Sequence, residues 1–95
     1  MHAMIRTYET SASTAEIARR VEAMILPLLQ ARPGFRGYWA GRSETGVFSV
    51  SLFDSEAEMD AANEQVRGIV SSNLAELLPT PPSVTRGEVL VSATG

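Results

Sequence analysis

The stretch RPGFRGYWAGRSETGVFSVSLF, Arg32 to Phe53, decides the fold. Pro33–Gly34 ends whatever precedes it. Phe35 to Arg42 and Val47 to Phe53 then read as two strands, because aromatic and β-branched residues sit among alternating small ones. Between them SETG reads as a hairpin loop, with Gly46 able to supply a positive φ. Period-two geometry sorts the side chains. Phe48, Val50 and Leu52 take one face of the second strand, Ser49 and Ser51 the other. Neighbours in sequence, Tyr38 and Trp39 point to opposite faces of the first.

Outward toward the N-terminus, SASTAEIARRVEAMILPLLQARPG reads as a helix. Ser13 and Glu16 have capping-box spacing: the hydroxyl accepts from a first-turn N–H and the carboxylate reaches back. Ile17, Val21, Met24 and Leu28 recur at helical spacing and form an apolar stripe. Pro27 has no N–H to donate, so the helix kinks or stops early there. Before it, MIRTYET, Met4 to Thr10, reads as a strand with Arg6 and Tyr8 on one face.

Outward toward the C-terminus, DSEAEMDAANEQVRGIV reads as a second helix, opened by a capping box at Ser55 and Glu58 and an acidic first turn that suits the helix dipole. Ala62, Val66, Ile69 and Val70 form its stripe, and Gly68 divides it. PTPP is a stiff connector, and TRGEVLVSA is the last strand. The order β-α-β-β-α-β predicts an α+β, ferredoxin-like antiparallel sheet with two helices on one face. Both parities of the strands carry apolar residues. The sheet's second face is therefore expected to be covered by a second copy, making a homodimer, a dimeric α+β barrel.

Residues 1–95 are expected to be a single domain. The net charge is −3, and the eight basic residues are scattered arginines, so a nucleic-acid footprint is not expected. With no cysteine, disulfides and thiolate chemistry are excluded. The one histidine, His2, stands at the terminus, where either Met1 or Met4 is the native start. No metal site is expected, since Asp54, Glu56, Glu58 and Asp60 already have a dipole rationale. No apolar run is long enough for a membrane span and no signal peptide is seen, so a cytoplasmic location is expected.

ILPLLQARPGFRGYWAGRSETGVFSVSLFDSEAEMDAA and LLPTPPSVTRGEVLVSA together resemble the antibiotic biosynthesis monooxygenase-like group of the dimeric α+β barrel superfamily. The resemblance lies in the Pro-Gly-Phe turn, the hairpin glycine, the Ser-Glu-Ala helix start and the closing Pro-Pro-x-Val-x-x-Gly-Glu-Val strand. These are turn, cap and core features, specific for fold and weak for function. The group includes cofactor-independent oxygenases of electron-rich aromatics, haem degraders, lactone isomerases and proteins without known activity. The haem degraders ligate iron through a helical histidine. The second helix here has none, so no haem and no other cofactor is expected. The resemblance implies a small monooxygenase on an aromatic or quinol-like molecule. The alternative is a non-catalytic small-molecule-binding or stress-related barrel.

The resemblance puts polar and aromatic side chains in a cavity between sheet and helices. Arg6, Asn63 and Trp39 are the candidate catalytic residues. Tyr8, Tyr38, Ser49, Ser51 and Arg42 are the candidate substrate-binding ones. Each has a plainer reading. Tyr38 and Trp39 are packing aromatics of two different interfaces, or one of them lines the cavity. Arg6 pairs with a carboxylate such as Glu88, snorkels to the rim, or stabilises an anionic substrate, a buried guanidinium being costly otherwise. Ser49 and Ser51 leave volume on their face, which bulky neighbours fill or a ligand does. Asn63, a weak helix former, is either solvated or a buried amide seeking a partner.

Overall fold

A computed structural model describes residues 1–94. Four antiparallel strands form one sheet in the order β2-β3-β1-β4: β1 His2–Glu9, β2 Phe35–Arg42, β3 Gly46–Phe53 and β4 Ser83–Glu88. The chain order is that of a ferredoxin-like βαββαβ fold, with α1 (Thr14–Met24) and α2 (Leu26–Gln30) in the first crossover and α3 (Glu56–Asn73) in the second.

The break between α1 and α2 is the early stop expected at Pro27, which lands in the first turn of α2, while Ile25 between them keeps its bonds to Val21 and Leu29 at a distorted φ of −100°. The restart shifts the inward stripe. Ile17, Ile25 and Leu29 are buried and Met24 is exposed, so Met24 is not part of the stripe as predicted. Both N-caps form, with the Ser13 hydroxyl accepting from the Glu16 N–H and Ser55 from Glu58, each at 3.2 Å. The reciprocal half of each box does not. Glu16 turns to Arg19 and Arg20, and Glu58 to Arg32, because a guanidinium binds a carboxylate more strongly than a backbone N–H does.

α3 runs through Gly68 without a break, contrary to the predicted division. A solvent-facing glycine costs a helix only about 1 kcal/mol, and Met59, Ala62 and Val66 are buried along the same helix. β4 is displaced from the predicted span and ends at Glu88, where β1 runs out of partners at His2. Leu90 and Val91 beyond it are 83% and 91% exposed.

Two glycines have different reasons. Gly34 has φ +78°, the left-handed conformation that the turn into β2 needs. Gly46 was expected to serve in the same way but does not have a positive φ. A Cβ there would lie 2.1 Å from the Tyr8 carbonyl oxygen, so close strand approach excludes a side chain.

The core lies between the sheet and the helices, with Phe53, Leu29, Met59 and Leu74 almost wholly enclosed. Phe35 packs edge-on to Phe53, ring centroids 5.8 Å apart. The other face of the sheet carries no element. The register aligns Ile5, Val50 and Trp39 across it, and Ala3, Leu52 and Gly37 beside them. Among the described residues, no helix is long and apolar enough to cross a membrane.

Candidate functional site

Register assembles the site. On the helix-facing side, Arg6 lies opposite Ser49, and Ser49 opposite Ala40. One row along, Met4, Ser51 and Tyr38 align; in the other direction, Tyr8, Val47 and Arg42 do. Small side chains in the middle rows cannot reach the helices. They leave a cavity of about 260 Å³, roofed by α1 and α3 and lined by Arg6, Tyr8, Tyr38, Ser49, Ser51, Arg42 and Asn63.

Seven of the eight sequence-selected residues therefore meet around one space. Trp39 does not. It lies on the open face, 56% exposed, its ring over Gly37. Period-two geometry forces this: once Tyr38 faces the cavity, its neighbour cannot. Sequence reasoning missed Ala40, which lines the cavity, and Thr14, whose hydroxyl accepts from Arg42 Nε at 3.0 Å at the start of α1. Ala40 shares its face with Tyr38 and Arg42 by parity, but a methyl group gave no chemical reason to select it before register set it opposite Ser49.

Arg6 sets the electrostatics. The residue is 6% exposed, yet no carboxylate of the described residues pairs with its guanidinium. The predicted partner Glu88 lies opposite His2, two rows away. The one contact Arg6 makes is Nη2 to the Asn63 backbone oxygen at 3.5 Å, long for a hydrogen bond. The other N–H donors of Arg6 find no acceptor among the described residues, and none of them is among the nitrogens sealed from solvent, so they are open to a partner from the cavity. The Asn63 side-chain Oδ1 is buried and accepts nothing from the described residues. No Asp, Glu or His lines the cavity, while two arginines do, in a chain whose net charge is −3. Low dielectric strengthens that local positive potential.

Burial pushes the Tyr38 phenol up from its ordinary value, while a hydrogen bond with Ser49 and the Arg6 charge pull the other way. Tyr38 is therefore a neutral O–H facing the cavity at physiological pH, a donor more than a base. The arrangement can hold a flat anion, with Arg6 opposing its charge and Tyr38 donating to it.

The donor set does not suit haem iron. Neither imidazole nor thiolate lines the cavity, and burial holds the Tyr38 phenol in the protonated form that ligation would have to remove. Among the described residues no cluster of His, Asp or Glu could hold a metal ion.

No protein-family model matches the chain, and no curated protein matches it. Solved structures do. A protein of unknown function from Nitrosomonas europaea is similar at 25% identity and a TM-score of 0.78, over 99% of this chain and 92% of that one. The haem degrader MhuD from Mycobacterium tuberculosis, with two haems in its active site, is similar at 21% identity and TM-score 0.73, over 99% of this chain and 100% of that one. SnoaB, a cofactor-independent oxygenase from Streptomyces nogalater, is similar at 16% identity and TM-score 0.65, over 98% of this chain and 94% of that one.

Proposed function

We propose that this chain, which has the fold of the antibiotic biosynthesis monooxygenase-like group, is a small oxygenase that works without a cofactor on an aromatic, quinol-like anion. The observation that carries the reading is Arg6: buried, charged, without a carboxylate, and facing a cavity between sheet and helices. Leaving such a charge uncompensated costs a fold several kcal/mol by order of magnitude. A bound anion removes that cost. Likeness to a cofactor-independent oxygenase and the lack of a haem-ligating side chain in the cavity favour this chemistry over haem degradation.

The cavity offers no carboxylate or imidazole to take a proton. The substrate therefore enters already ionised, its hydroxyl proton lost to water. Arg6 holds the oxyanion, and Tyr38 and Asn63 fix the ring. The anion passes one electron to dioxygen, giving a substrate radical and superoxide. These combine in a new C–O bond at a ring carbon that still bears hydrogen. The O–O bond of that peroxide breaks as the carbon's proton leaves. One oxygen stays as a carbonyl and the other departs as hydroxide, which becomes water. The protein supplies charge, orientation and exclusion of solvent.

Two copies pair through the open sheet face, burying Ile5, Val50, Leu52 and Trp39. Trp39 acts in this reading as an interface anchor rather than a catalytic group, since its ring stands outside the cavity. A second reading, a binding protein without turnover, is favoured by the same lack of a proton-accepting side chain.

The test is oxygen uptake with a panel of hydroxynaphthols and naphthohydroquinones. Uptake above the protein-free rate that disappears in Arg6→Gln supports the oxygenase. Arg6-dependent binding without uptake selects the binding protein. Neither binding nor uptake with any member removes both.

A further inference from the structure

A second space adjoins the first. It is a groove of about 630 Å³ between α3, the Pro79–Pro82 connector and β4. Arg6, Tyr8, Asn63, Val70 and Leu78 line both spaces. The recognition groups of the proposed site therefore stand at a junction rather than at a dead end. By itself the first cavity falls just below the ~300–1,000 Å³ common for small-molecule sites, whereas the two together fall within it.

The groove has a preformed wall. Three prolines in four residues stiffen the connector, which bends at Thr80. The Thr10 hydroxyl donates to the Leu77 carbonyl at 2.6 Å and anchors its start, and the pairing of Ser83 with Thr7 anchors its end. Its floor is mainly apolar: Val70, Ala75, Leu78, Val84 and the prolines. Like the cavity, it has no acidic side chain, and Arg67 stands at its rim.

From this we infer that the ligand has two parts: a flat head whose oxyanion and neighbouring hydroxyl or carbonyl meet Arg6 and Asn63, and an apolar arm on the same side, laid between α3 and the Pro79–Pro82 connector. The inference rests on the proposed anion site for the head. The Arg6 guanidinium calls for an acceptor atom on the head, and Asn63, which lines both spaces with it, stands where a second polar atom of the head would lie. The arm follows from the groove, because a flat head that fills the smaller cavity at Arg6 leaves the adjoining apolar groove for a substituent beside it. The substrate class is thus an alkyl- or prenyl-type hydroxyaryl compound rather than a bare ring.

The probes are 2-hydroxy-1,4-naphthoquinone, which is anionic at neutral pH, and its 3-methyl, 3-butyl and 3-octyl derivatives, titrated calorimetrically. Each methylene that enters the groove is expected to tighten binding by roughly three- to fourfold until the groove is full. Ala75→Trp and Val84→Trp block the groove at positions that are solvent-exposed in the fold. Both are expected to abolish the dependence on chain length while leaving the parent compound within about twofold of wild type. A chain-length gain in the wild type that both variants lose supports the arm. No gain in the wild type, or a gain both variants keep, overturns it while the head site stands, provided the parent binds and Arg6→Gln loses it. Failure of the parent and all derivatives to bind overturns the head site and the arm with it.

Discussion

The two faces of the sheet use the same strands to opposite ends. On the helix-facing side the residues of β1 alternate into a covered layer, yet the middle of that layer is polar and underfilled: Arg6, Ser49, Ser51 and the Tyr38 phenol surround empty volume. On the other side nothing covers the sheet, yet the row through Ile5, Val50 and Trp39 is apolar, with Ile5 40% exposed. A fold optimised only for its own stability would reverse this, filling the covered face and wetting the open one. The difference teaches where each face's partner comes from. On the proposed reading the covered face is shaped for a ligand and the open face for a second chain.

The largest effect is expected from wetting the open face. Trp39→Asp puts a charge where the proposed interface has its aromatic anchor, and such anchors are worth about 2 kcal/mol or more when truncated. Light scattering should give a two-chain mass for the wild type and a one-chain mass for the variant. A variant that remains a pair would break the assignment of Trp39 to the interface.

Next in size is the covered face made more ordinary. Ser51→Val adds apolar volume over the cavity and removes only a long hydroxyl contact, 3.5 Å to the Met4 carbonyl. Stability should rise by up to about 1 kcal/mol in chemical denaturation, while affinity for 2-hydroxy-1,4-naphthoquinone falls. A loss of stability would mean that bulky neighbours already fill the space.

The smallest effect is in titration. Because burial raises the Tyr38 phenol, the folded chain holds that proton more tightly than the unfolded chain does. The resulting stability is complete below the ordinary phenol value of 10.0 and is lost as pH rises through the folded one. Ultraviolet titration should show one tyrosine ionising late. Ser49→Ala should delay it further, since Ser49 pulls the phenol down.

Much of the fold was legible because its signals are local. Ser13, Pro27, Gly34 and Ser55 act within a turn or two, and the structure uses all four at the ends of elements. The faces of β1, β2 and β3 followed from parity. What could not be read depended on distant chain. The reason for Gly46 is the Tyr8 carbonyl, and the end of β4 is set by where β1 begins. The Glu58 carboxylate went to the distant Arg32, while Glu16 went to Arg19 and Arg20 in its own helix, a competition that the capping-box pattern does not weigh. Of the site, the residue types were visible and their convergence was not. Parity separated Tyr38 from Trp39 without saying which faced the helices, and no sequence feature marked Arg6 as lacking a carboxylate.

That missing partner is the central claim, and the thermal midpoint of Arg6→Met without ligand tests it most directly. Methionine keeps the length and packing of the stem and removes the buried charge. If Arg6 serves a ligand at the expense of the fold, the variant should melt higher, by about 4–8 °C for each kcal/mol recovered, and should no longer bind 2-hydroxy-1,4-naphthoquinone. A midpoint several degrees below wild type would contradict the account, because it would mean that Arg6 holds the fold together and that its charge is answered from within the chain.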